Sequence, residues 1–152
     1  MHKAEHPSGT IRTISILKDI LIFYYLYFTI FTVENKFQTI MISRKVKSVE
    51  VKDTPHKVDV RQIYNDPSAQ INHIELKPGE SLKPHKPPVD VTFYVLEGNP
   101  TIHIGGESVA FERDTLIESP ANIVHHISNE GKQNARVLVI KAPRPETAAR
   151  ML

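Results

Sequence analysis

From Val46 onward the chain is written in short runs in which apolar and polar residues alternate, each run closed by turn-forming residues. VKSVEVK and KVDVRQIY keep a period of two, the mark of strands with one face on a core and the other toward water. NDPSAQ reads as a turn, and the run from Ile71 to Leu76 stops at Pro78-Gly79. Asp90 to Leu96 (DVTFYVL) is dense in β-branched and aromatic side chains, which suit a pleated, half-buried surface. Gly98-Asn99-Pro100 turns the chain into TIHI, and Gly105-Gly106 comes next as a tight-hairpin signal. Ser108–Arg113, Thr115–Glu118, Ile123–Ser128 and Ala135–Lys141 read as the remaining strands before Pro143 and Pro145. No stretch after Met41 sustains the 3.6-residue period of a long helix. About eight to ten short strands at this spacing predict an all-β domain, either a sandwich or a barrel.

The first forty residues obey a different rule. Ile20 to Val33 reads ILIFYYLYFTIFTV, with no charge between Asp19 and Glu34. The run is shorter than the ~20 apolar residues a spanning helix needs. Extending it toward Ile14 brings in Lys18 and Asp19, both costly in hydrocarbon. It has the length of a signal-peptide core, yet VENKFQTIMIS offers no small-x-small cleavage site. Three readings stand: a weak membrane or targeting helix, an amphipathic element packing on the barrel or a partner, or a start-site artefact with the natural chain beginning at Met41. The third is preferred, because the strand pattern begins directly after Met41 and is complete without the extension. The expected organisation is an extension over residues 1–43, a barrel over 44–143 and a tail over 144–152.

Composition narrows the function. A chain of 152 residues suits one domain with one continuous apolar core. The net charge of +2 supplies no field to hold nucleic acid or an anionic membrane, so neither is expected as a partner. The cytoplasm is the expected compartment. Cysteine is absent, which excludes disulfides, thiolate zinc sites and cysteine nucleophiles. There is no P-loop, no GxGxxG, no nucleophile elbow and no internal repeat.

Two segments carry more than periodicity: GESLKPHKPPVDVTFYVLEG, from Gly79 to Gly98, and DTLIESPANIVHHISNEG, from Asp114 to Gly131. Together they resemble the two signature motifs of the cupin superfamily. Gly79, His85 and Gly98 fall on the opening Gly, first His and closing Gly of the first motif. Pro120, His125 and Asn129 fall on the Pro, His and Asn of the second. The resemblance implies a double-stranded β-helix, a jelly-roll barrel of two antiparallel sheets, and a homodimer. It also exposes departures. Pro87 stands at the second His and Val91 at the Glu, so two of the family's four protein metal ligands are missing. Asn122 and Asp114 replace glycines, at turns where Asn and Asp are tolerated.

Strand parity then assigns faces. His125 shares one with Ile123 and Ile127, and His126 shares the other with Val124 and Ser128. The resemblance puts His125 inside, so His126 is expected to point outward. Val91, Phe93 and Val95 share a face, which makes the expected pocket His85 and His125 in an apolar cup of Val91, Phe93, Val95, Ile123 and Ile127. Apolar walls with a few convergent polar groups suit a small organic ligand. The two imidazoles could also hold a divalent metal, Fe, Mn, Ni or Zn, completed by water, although stable sites generally take three or four protein ligands. Parity turns Asp90 away from that role.

Two functions are therefore carried forward. One is a single-domain module that binds a small organic molecule, with or without a weakly held metal. The alternative is a metal-dependent dioxygenase or isomerase. A sugar-responsive regulator is a third class, but the first forty residues hold no helix-turn-helix pattern. His73 and His103, beside Ile74 and Leu76 and beside Ile102 and Ile104, read as surface residues. Glu97 reads as a solvated turn residue, Tyr94 and Leu96 as a face that a second subunit could cover, and Pro84, Pro87 and Pro88 as stiffeners of the loop at the pocket mouth. His2, His6 and His56 receive no role.

Overall fold

The strands over residues 91–97 and 135–141 take their places through the alternation that marks them in the sequence. The computed structural model describes Lys18, residues 20–27 and residues 41–152. The chain divides into two units, Met1–Ile42 and Ser43–Leu152. In the first, residues 20–27 are helical and expose their apolar side chains. Among the described residues no helix is long and apolar enough to cross a membrane. The run from Phe28 to Val33, on which part of the targeting and artefact readings rests, lies outside the described residues.

In the second unit the described residues form ten strands: β1 Asp59–Asp66, β2 Ala69–Leu76, β3 His85–Lys86, β4 Val91–Glu97, β5 Thr101–Ile104, β6 Glu107–Ala110, β7 Leu116–Ser119, β8 His125–Ser128, β9 Ala135–Lys141 and β10 Arg150–Met151. They make two five-stranded sheets, in the orders β1-β2-β9-β4-β7 and β10-β3-β8-β5-β6. Every pairing is antiparallel. This is the double-stranded β-helix that the two motifs imply.

The first sheet supplies most of the core. Burial alternates along β4 and β9, and the register sets Val95 against Val137 and Phe93 against Val139. Val60, Ile74 and Leu76 continue that inner face, while Ile102 and Ile127 meet it from the second sheet. Gly98 ends β4 with φ +77, and a Cβ there would stand 2.7 Å from the Asn134 carbonyl oxygen, so neither the backbone nor the space admits a side chain. Asp114 and Asn122 take φ 64 and 61, the left-handed geometry expected of residues replacing glycine.

Three expectations need correction. The alternating run from Val46 to Lys52 is not a strand: Val46–Ser48 is a 3-10 turn, and the segment after it is tied to β1 by a bond from the Lys52 N–H to the Val60 carbonyl at 2.8 Å. Alternation marks a face, but a strand also needs a ladder partner. The tail does not leave the barrel either, since Met151 pairs with His85 and Arg150 with Lys86. Polar composition concealed it, because an edge strand of this length carries no period. His73, finally, is fully buried although it lies on the outer face of β2. The Lys47–Val49 segment is bound on that face, with Arg61 Nη1 donating to the Val49 carbonyl and Lys47 paired to Glu75. His73 Nε2 accepts from Arg136 Nε at 3.1 Å, and among the described residues its Nδ1 has no partner.

Candidate functional site

The inner face of the β2–β9 pair runs from dry to polar. Register sets Leu76 against Ala135, Ile74 against Val137, Asn72 against Val139 and Gln70 against Lys141. Parity therefore carries Lys141, two residues beyond Val139, onto the same inner face as the core. At this polar end lies a cavity of about 500 Å³, walled by Val60, Ile74, Leu82, Phe93 and Val139 and edged by Lys52, Gln70, Asn72 and Lys141. His56, His85 and His125 complete its lining, with Met151 of the returning tail.

His85 and His125 come together because β3 pairs with β8 at these two residues. Their Nε2 atoms are 3.2 Å apart, and the rings meet edge to face with centroids 4.7 Å apart. The surrounding bonds fix both tautomers. His85 Nδ1–H donates to the Lys83 carbonyl at 2.9 Å, which leaves His85 Nε2 as an acceptor. His125 Nε2–H must then donate to it, and His125 Nδ1 accepts from the Ser119 hydroxyl at 2.8 Å. The result is a directed chain from Ser119 through both rings to a backbone oxygen. Phe93 packs its ring against His125 with centroids 5.1 Å apart.

Both rings are held neutral. Burial, with His85 and Lys141 adding to it, lowers His125 to about 3. Burial lowers His85 too, against the opposing bond to Lys83. His56 is brought down to about 4 by burial and then by His85. Lys141 is also lowered, first by burial and then by Lys52. Desolvation disfavours the charged form of each of these bases.

The expected pocket is reached in part. His85, Phe93 and His125 line the cavity. Val91, Val95 and Ile127 are buried in the packed core rather than on the cavity wall. Ile123 is 39% exposed and leaves the wall altogether, because β8 begins only at His125 and the residues before it form a turn. His126 lies on the opposite face and stacks on His103 with centroids 4.0 Å apart. His103 is half-buried rather than a free surface residue, bonded to Ser108 and Ser128. Asp90 points away, accepting from the Ala121 N–H. Asn129 serves the frame, its amide donating to the Leu76 and Gln133 carbonyls.

Sequence reasoning missed His56 and Lys141. His56 sits in a loop without periodicity, and its ring is 4.9 Å from that of His85. Lys141 carried a signal that went unused: it is the last inward position of a strand whose bounds were read correctly.

The ligand set does not make a divalent-metal centre of three or four protein groups. The imidazole spacing is suitable, since two nitrogens each ~2.0–2.1 Å from a tetrahedral ion lie about 3.3 Å apart. The ligand number is not. Pro87 and Val91 are buried at the other two positions, and among the described residues no carboxylate lines the cavity. Among the described residues no group of three or more His, Cys, Asp or Glu is placed to hold an ion.

Comparison with known proteins agrees with this architecture. The family model for the cupin domain matches residues 72–141, which run from β2 to the end of β9. An RmlC-like cupin from Methanocaldococcus jannaschii with a double-stranded β-helix fold superposes with a TM-score of 0.58 at 25% identity, over 70% of this chain and 96% of that one. The barrel is a cupin. The polyketide cyclase RemF from Streptomyces resistomycificus shares the fold of this cupin, with a TM-score of 0.64 at 18% identity over 74% of this chain and 86% of that one. A curated relative, the tetracenomycin polyketide synthase protein TcmJ of Streptomyces glaucescens, is 40% identical over 83 residues, 52% of this chain and 56% of its own length. The cupin thus spans about half the length of that relative.

Proposed function

We propose that this cupin binds a small organic molecule in the cup between its two sheets, with the His85–His125 pair at the wall. The observation that carries the reading is the cavity itself, about 500 Å³ with an apolar wall and a few convergent polar groups. That size and make-up are those of small-molecule sites, which run roughly 300–1,000 Å³. TcmJ and RemF are by name polyketide proteins, which supports an organic ligand rather than a bare ion. The neutral imidazoles favour such a ligand too, because they line the cup without the desolvation cost of a buried charge.

The test uses the full chain and a neutral probe, 2-naphthamide, monitored through the histidine ring signals in the NMR spectrum. Signals of His56, His85 and His125 are expected to move on titration, while those of His103 and His126 on the other face stay. If no cavity histidine responds at millimolar probe, the reading is lost.

A second reading, metal-dependent chemistry in the same cup, is favoured by the 3.2 Å spacing of the two Nε2 atoms. Elemental analysis of protein purified without chelator decides between them. Near-stoichiometric Fe, Mn, Ni or Zn supports the enzyme, and no metal after reconstitution supports the binding module.

A further inference from the structure

Charge is distributed unevenly around the cup. Among the described residues its lining includes two lysines, Lys52 and Lys141, and no aspartate or glutamate. Asp53, next to Lys52 in the chain, is paired with Lys57, and Glu75 and Asp59, on β2 and β1, are paired with Lys47 and Arg61. Lys52 reaches Gln62, a neutral amide. Lys141 is half-buried on the inner face of β9, and among the described residues it has no ion pair and no side-chain hydrogen bond. A partly buried ammonium without a counter-ion is costly unless something supplies one. The residue opposite it in the β2–β9 register is Gln70, whose amide supplies hydrogen-bonding capacity but no charge.

We propose that the ligand of this cup is an amphiphilic anion, its acid group held by Lys141 at the polar end and its apolar body laid against Phe93 and Val139. The inference rests on the small-molecule reading above and names the ligand class. An acidic group, whether carboxylate, enolate or phenolate, supplies the negative charge that the lining lacks. The change from Val139 to Lys141 along one inner face gives the molecule its orientation. A neutral ligand of the same shape fits the wall and leaves the ammonium unpaired. A dianion without an apolar body pairs the lysines and leaves the wall wet.

The test compares 2-naphthoate with its neutral analogue 2-naphthamide on the full chain. Naphthalene fluorescence reports binding directly, since the chain has no tryptophan. The acid is expected to bind tighter than the amide by about tenfold or more, the scale of one charge-assisted hydrogen bond. Lys141→Gln should erase most of that preference by weakening the acid and sparing the amide. Lys141→Arg should keep it, and Lys132→Gln, on the exposed loop before β9, should change neither. Equal binding of acid and amide by the unaltered chain overturns the charge assignment and leaves the cup reading standing. An acid preference that survives in a folded Lys141→Gln protein overturns it as well. Binding of neither probe removes both readings together.

Discussion

His125 is 2% exposed, and each of its ring nitrogens already has a partner. The ring is therefore locked in orientation and in protonation state, and stability must respond to pH. Its pKa is about 3 in the fold against an ordinary 6.5. Between those values the unfolded chain holds a proton that the folded one excludes, so stability is full above about pH 6.5 and falls as pH drops toward 3. One proton taken up on unfolding corresponds to a slope of up to about 1.4 kcal/mol per pH unit. Urea unfolding at pH 7 and pH 5 should show the midpoint moving to lower urea at pH 5. In His125→Gln that dependence should shrink by close to one proton. An unchanged slope would mean that the ring is not held neutral. His125 and His85 were legible in the sequence because the motif spacing singles them out from eight histidines. His73 was misread from its neighbours, since parity names a face but not the segment that covers it, and here a distant one held by Arg61 and Glu75 does.

Among the elements, β9 was read with its true bounds, and β2 and β4 to within two residues, because each pairs on both sides and β4 and β9 bury every second residue along most of their length. The failures are edges and short pieces. β3 and β10 are two residues long, too short for any period, yet they bring His85 into place and bring the tail back beside it. Turn chemistry was the firmer guide. Gly98 and Gly79 both take left-handed φ, at +77 and +83, but only Gly98 has backbone within 3 Å of a built Cβ. Gly79→Ala should therefore cost only the backbone term, about 1–2 kcal/mol. Gly98→Ala should cost that and more, since the Asn134 carbonyl and Ala135 Cα must shift where β4 and β9 join. Chemical denaturation of the two variants side by side checks the order. Equal losses would place the steric argument in error.

At the scale of the whole molecule, a net charge of +2 looks featureless, and the sequence offers no reason to seek an electrostatic site. The fold separates what the sum hides, placing carboxylates in ion pairs with other cations and two lysines around a cup whose described lining holds no carboxylate. No linear pattern encodes that separation, because the cavity's lining comes from loops and strands as distant as Lys52 and Met151. The extension is a different matter. All ten described strands and the buried core of the described residues lie within Ser43–Leu152. A chain beginning at Met41 is expected to unfold at the same denaturant midpoint as the full chain, with the same cooperativity, and to keep the naphthamide response. The full chain, which exposes Ile20, Leu21, Phe23 and Tyr24 among its helical residues, should be the more prone to self-association with rising concentration. Light scattering of both proteins measures the second effect and urea unfolding the first. A lower midpoint for the shorter chain would mean that the extension packs as part of the fold.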